Sequence, residues 1–347
     1  MAKKRPLIFV VGCPRSGTTL LLRMLNLHSR IQLAGESNFL IPIWGNRRLI
    51  NAYQHLDSNL LPSRLQDFFD SNIQSFADEV HGFNYSPWIN ELEFCDWMND
   101  FEHNNTKNYS NLYLSFMKVI ARKRDKPIFG DKVTWYFRYV PSLLLLYPEA
   151  KIINVIRDGR AVVSSMLHRT ISSAIPNNLV DMCLLWKRST LLANTYRKSI
   201  SKRSYYEIRY ENLIMYPEKE IRKLCDFLGI NFEKNMMNIK GSTNSAYKDV
   251  KTKGLDETLL TKWKEKLDPA QIVLIEQIIG KELQNEGYER ITTPNENISF
   301  DKKFEIIVRS VVYHTRQVIK ENLTKIGIRS VHPAHACSKL IRMLCRK

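Results

Sequence analysis

Phe9-Val10-Val11-Gly12-Cys13-Pro14-Arg15-Ser16-Gly17-Thr18-Thr19 decides the reading of this chain. An apolar run, Leu7 to Val11, stops at Gly12, and a helical pattern opens at Thr18. Between them the spacing Gly12-x4-Gly17-Thr18-Thr19 is that of a phosphate-cradling P-loop, with Thr18 where the nucleoside-triphosphate version has lysine. Backbone N–H groups and a helix N-terminus still hold an anion there. The ammonium that reaches the β/γ-phosphates is absent, and Arg15 supplies a cation inside the loop instead. The loop is suited to a phosphate ester other than ATP.

Working outward, strands and helices alternate. Ile31–Leu33 is extended and leads to Gly35-Glu36-Ser37, where the pattern predicts another helix start. The stretch 51–124 reads as an irregular helical insertion; its aromatics, among them Phe68, Phe83, Trp88, Trp97 and Tyr113, suit either an acceptor-binding lid or core. A strand then runs to Lys132, a helix covers Tyr136–Tyr147, and Lys151–Ile156 is the continuous apolar strand of a parallel sheet, ending at Arg157-Asp158. Helices over 158–169 and 178–201 precede a strand at Tyr205–Arg209. This order predicts an α/β fold, a P-loop-type, doubly wound, mainly parallel sheet flanked by helices. Its ligand belongs at the carboxyl ends of the strands, which carry Arg15, Lys132, Arg157 and Tyr210.

The chain has 347 residues, and 52 Lys and Arg against 35 Asp and Glu give a formal charge of +17. That excess favours anionic partners. A main domain is expected over 1–294, followed by a basic amphipathic helical tail over 295–347. From Asp301 onward there are eleven Lys and Arg against three Asp and Glu, and Phe304, Ile307, Val308, Val311 and Val312 fall at helical spacing. Such a tail docks on the domain or makes peripheral membrane contact. Six cysteines are scattered without any C-x2-C pair, so neither a metal site nor a disulfide framework is expected. The N-terminal apolar stretch is short and runs into the phosphate loop, which argues against a signal peptide and for a soluble, cytoplasmic protein. Basic residues are not interleaved with aromatics in a nucleic-acid module, and no nucleic-acid partner is expected.

Three segments in order carry a resemblance: the loop at Gly12–Thr19, Val155-Ile156-Arg157-Asp158-Gly159-Arg160-Ala161, and Arg209-Tyr210-Glu211-Asn212 with the sequence after it as far as Gly229. Over residues 7–289 the chain resembles the sulfotransferases that use 3′-phosphoadenosine 5′-phosphosulfate (PAPS), in particular the branch of the protein-tyrosine sulfotransferases and their bacterial relatives. The resemblance implies a transferase that moves a sulfonate from PAPS to an acceptor hydroxyl without a metal. By it, Arg15, Ser16, Gly17, Thr18 and Thr19 hold the 5′-phosphosulfate, Arg157 and Ser165 the 3′-phosphate, and Tyr210 the adenine. Glu36 is the matching general base, and Lys132 the cation at the leaving oxygen. Lys253, followed by a glycine, is preferred to Lys251 in the loop that covers the phosphate.

Three departures bear on the acceptor. Leu20 stands where small-molecule sulfotransferases place an adenine-stacking tryptophan, and no histidine sits in the context of their base: His28 and His168 read as capping or surface groups. Phe39 replaces the arginine that tyrosine-specific enzymes carry three residues after the base. The acceptor is therefore open among the hydroxyls of a glycan, lipid, peptide tyrosine or small metabolite. Two other readings exist. One is a P-loop NTPase or kinase-like phosphotransferase with Asp158 holding a metal. The other is a non-catalytic nucleotide-binding protein.

Overall fold

The computed structural model describes residues 7–37, 39–40, 96–97, 100, 109–168, 176, 178–239 and 255–293. Five strands form one parallel sheet: β1 (Ile8–Gly12), β2 (Ile31–Gly35), β3 (Ile128–Lys132), β4 (Lys151–Ile156) and β5 (Tyr205–Arg209), in the order β2-β3-β1-β4-β5. Every residue of β1 is buried, as its apolar run and central place require. The edge strands carry polar positions instead, Gln32 on β2 and Glu207 and Arg209 on β5.

Alternation along β1 sorts the two faces of the sheet. Ile8 and Val10 join Leu20, Leu21, Met24 and Leu25 of α1 (Thr18–Asn26) in one apolar cluster. Phe9 joins an aromatic layer, with its ring 6.0 Å from those of Tyr113 and Tyr136. Tyr113 lies on α2 (Tyr109–Arg122), and Trp97 packs 5.0 Å from Phe116 of the same helix. Trp97 and Tyr113 of the predicted insertion are therefore core, while Phe68, Phe83 and Trp88 lie outside the described residues.

The chain divides into two compact units, Met1–Val162 with Arg188–Lys262, and Val163–Lys187 with Trp263–Lys347. The sheet belongs to the first. The second includes the helix Pro269–Asn285, whose N-terminus is closed by Asp268 and Gln271 in a reciprocal capping box. There Glu276, buried, accepts hydrogen bonds from the Ile291 and Thr292 amides and the Thr292 hydroxyl. The boundary expected at 294 falls where the described residues end, and the tail lies beyond them.

Two predicted helices differ. Tyr136–Tyr147 is a 3-10 turn (Thr134–Arg138) followed by α3 (Val140–Leu146). Pro141 sits in the first turn of α3, where its missing N–H costs nothing, and its ring prevents a continuous helix across it. The start predicted at Gly35-Glu36-Ser37 is not helical: Gly35 closes β2, and Glu36 takes a left-handed conformation with φ 61°. His28 is buried rather than at the surface, accepting the Arg30 amide at Nδ1 and reaching the Asn231 carbonyl through Nε2, both at 3.0 Å.

Candidate active site

The phosphate loop links β1 to α1 and is shaped by backbone signs. Arg15 and Gly17 both have positive φ, 74° and 102°, and the Ser16 amide closes a turn onto the Cys13 carbonyl at 3.0 Å. Glycine at 17 is required twice over. Its φ is one that side chains avoid, and a Cβ there would lie 2.2 Å from the Tyr210 ring. Ser16 is buried, and its hydroxyl has no hydrogen-bond partner among the described residues. A buried hydroxyl left this way beside a helix N-terminus fits an anionic ligand held by the loop. Thr18 is buried and Thr19 half-buried at the start of α1, whose first turn carries no acidic residue. Burial pushes the Cys13 thiol up to about 12, so it stays neutral inside the loop.

At the end of β4, Arg157 leans on the same loop. Its Nη1 donates to the Arg15 carbonyl at 3.1 Å, and its guanidinium carbon lies 4.2 Å from the centre of the Tyr210 ring. Tyr210, which opens the helix Tyr210–Met215, is 4 % exposed. The ring predicted to meet adenine is thus packed between Gly17 and Arg157, supporting both. Glu211 follows it and accepts the Asp158 amide at 2.9 Å. Burial raises the Glu211 pKa above the usual carboxylate range, against that hydrogen bond and the nearby Arg157. Asp158 is bound within its own turn: Oδ1 accepts the Arg160 amide at 2.8 Å, and Oδ2 pairs with its guanidinium at 2.7 Å. The carboxylate that the NTPase reading reserves for a metal is engaged by arginine.

On the other side of β1, the ends of β2 and β3 bring the second pair together. Gly35 is registered opposite Lys132, and the Glu36 amide donates to the Lys132 carbonyl at 2.6 Å. The side chains then meet as well, Lys132 Nζ to Glu36 Oε1 at 2.8 Å. The lysine side chain is 5 % exposed and the glutamate 53 %, so the ammonium lies within the protein while the carboxylate opens outward. Behind them Asp131 is fully buried and takes both the amide and the hydroxyl of Ser37. Asp131 and Glu211 were not singled out by sequence; the signal was their place beside Lys132 and Tyr210 in the motifs.

Arg15, Ser16, Gly17, Thr18, Thr19, Glu36, Lys132, Arg157 and Tyr210 thus all fall at or beside the carboxyl ends of the five strands, in one unit. Ser165 is half-buried on α4 (Gly159–Leu167), within the second unit. Lys251 and Lys253 lie outside the described residues.

The profile of the sulfotransferase family matches residues 6–234, two thirds of the chain. The protein belongs to the sulfotransferase family. Among its relatives, protein-tyrosine sulfotransferase A of Caenorhabditis elegans is 24% identical over 316 residues, which cover 88% of this chain and 72% of that one. Human protein-tyrosine sulfotransferase 1 is 23% identical over 336 residues, covering 92% and 77%. The fold is shared with the sulfotransferase domain of the curacin biosynthetic pathway, at a TM-score of 0.56 and 20% identity over 83% of this chain and 99% of that one. The sulfotransferase domain of the Synechococcus PCC 7002 olefin synthase gives a TM-score of 0.53 at 22% identity, over 83% and 98%. No helix among the described residues of this sulfotransferase is long and apolar enough to cross a membrane.

Proposed function

We propose that this sulfotransferase takes its sulfonate from PAPS and delivers it to an acceptor hydroxyl, with Glu36 as the general base. The observation that carries this reading is the Glu36–Lys132 pair at 2.8 Å, set by strand register at the rim that also holds the phosphate loop. PAPS supplies an activated sulfonate on a single 5′-phosphate, which suits a loop whose lysine is replaced by Thr18. The Ser16 hydroxyl and the first amides of α1 would receive that phosphate, with Arg15 as the cation. Arg157, braced on Tyr210, would take the 3′-phosphate.

The two members of the pair divide the remaining work. The half-exposed Glu36 carboxylate accepts the proton of the acceptor hydroxyl. The buried Lys132 ammonium stands where negative charge builds on the leaving oxygen, and its low exposure strengthens that effect. Relatives named protein-tyrosine sulfotransferases point to a phenolic hydroxyl as one acceptor class. Phe39 departs from them, however. It is buried against Tyr113 and Phe116, with ring centres 5.4 and 5.3 Å away, and offers no cation to an acidic flank. We therefore propose an acceptor whose recognition does not rest on acidic neighbours at that position.

Thermal shift tests the donor: adenosine 3′,5′-bisphosphate should stabilise the protein without Mg²⁺, and ATP should do little. Stabilisation only by ATP with Mg²⁺ would instead restore the phosphotransferase reading.

A further inference from the structure

Glu36 sits in a conformation that a non-glycine residue adopts only when its surroundings enforce it. Its amide is tied to the Lys132 carbonyl and its carboxylate to the Lys132 ammonium. Neither contact explains the direction in which the chain leaves. The next residue does. Ser37, 2% exposed, turns its hydroxyl onto Asp131 Oδ2 and its amide toward Oδ1 at 3.4 Å, and the same hydroxyl receives the Phe39 amide at 3.3 Å. Leu40 is then held through its amide by the Tyr136 hydroxyl at 2.9 Å. Ser37 and Leu40 are thus tied to β3 and to the turn following it.

Asp131 has no accessible surface, yet it is an acid in the middle of an aromatic layer. A carboxylate there is costly unless its bonds are needed. We propose that Asp131 is a positioning residue for sulfonate transfer: through Ser37 it holds the left-handed turn that keeps the Glu36 carboxylate at Lys132. This rests on the reading of Glu36 as the base. Two donors converge on the two oxygens of one carboxylate; asparagine would turn the Ser37 hydroxyl from donor into acceptor and remove the charge that strengthens both bonds. The groups that act on Asp131 are Lys132 and Glu36, Ser37 through its two bonds, and Tyr113 from α2. Burial pushes its carboxyl up to about 6, opposed by the Ser37 bonds and Lys132.

The test uses the full chain and transfer of radiolabelled sulfonate from PAPS to one fixed pool of lysate acceptors, with Asp131→Asn, Ser37→Ala and Ser37→Thr beside Glu36→Gln. Asp131→Asn and Ser37→Ala should each lower turnover ~10- to 100-fold, a share of what a general base contributes. Ser37→Thr, which keeps the hydroxyl, should recover most of it. The Kd for adenosine 3′,5′-bisphosphate should stay within about twofold. Asp131→Asn should melt no lower than the wild type at pH 8, and the acid limb of turnover near pH 6 should be lost in that variant and move up in Ser37→Ala, where the hydroxyl no longer holds the carboxyl down. Wild-type turnover and an unmoved limb in Asp131→Asn, with Glu36→Gln inactive, would overturn the inference and leave the base intact. A parallel fall in turnover, bisphosphate affinity and melting temperature would also overturn it, by reducing Asp131 to a purely structural group. Full activity in Glu36→Gln would instead remove the base itself.

Discussion

The rim of the sheet has two halves built on different physical terms. Around β1 and β4, the parts brace one another: Gly17 leaves room for the Tyr210 ring, the ring carries Arg157, and Arg157 donates to the Arg15 carbonyl. Tyr210 is buried and Gly17, Arg157 and Arg15 are half-buried, and the loop between them carries positive φ values. Around β2 and β3 the arrangement depends on a pair of opposite charges, one within the protein and one half open to solvent, above a buried acid. The first half is preorganised by packing; the second is preorganised by polar bonds. A packed site tolerates changes of pH and suffers from added volume. A bonded site does the reverse.

Replacing Glu36 by glutamine should separate the halves most sharply. Turnover should fall about 1,000-fold, within the range for loss of a general base, while bisphosphate affinity measured by calorimetry stays as in the wild type. If affinity fell too, the division would be false.

The next effect is one of pH on stability, and it belongs to the β2–β3 half. Asp131 binds its proton more tightly in the folded state, at about 6 against an ordinary value of 3.8. The folded protein therefore holds more protons than the unfolded chain between those values, and stability declines as pH rises from about 4 to about 6. The upper bound is about 3 kcal/mol, from roughly two pKa units. Denaturant melts across that window should show the decline in the wild type and lose it in Asp131→Asn.

Arg157→Ala should act on the other half. Loss of a charge-assisted contact worth about 2 kcal/mol should weaken bisphosphate binding about 30-fold, with turnover at saturating PAPS changed much less. Smallest is Gly17→Ala. The added methyl meets Tyr210 and forces an unfavourable φ, which should cost about 1–2 kcal/mol of stability and loosen bisphosphate binding. Its pH profile should match the wild type, since β2 and β3 are untouched.

These halves were unequally legible in the sequence. The phosphate loop was plain because its information is local: two glycines and a hydroxyl-rich helix start at a fixed spacing within eight residues. The succession of strands along the chain and the places of Lys132 and Arg157 followed from apolar runs that end in cations, whereas their order within the sheet came only from the structure. Glu36 was found only through family resemblance, and its neighbourhood misled. Gly-Glu-Ser reads locally as a helix start, but the bond that bends it comes from Asp131, 94 residues from Ser37. Tyr210 was placed at the rim correctly, yet its packing against Gly17 depends on a contact across most of the chain that no local pattern encodes. The break at Pro141 was visible in principle, since proline there forbids one continuous helix.

The position of β2 in the sheet carries a last consequence. Among the described residues it is an outermost strand, paired within the sheet to β3 alone, whereas the phosphate loop grows from the middle strand. Lineages descending from a common ancestor could thus remodel what receives the sulfonate by altering a peripheral ribbon and the segment after it. The donor grip, locked between neighbours on both flanks, would pass from parent to offspring with little freedom to drift.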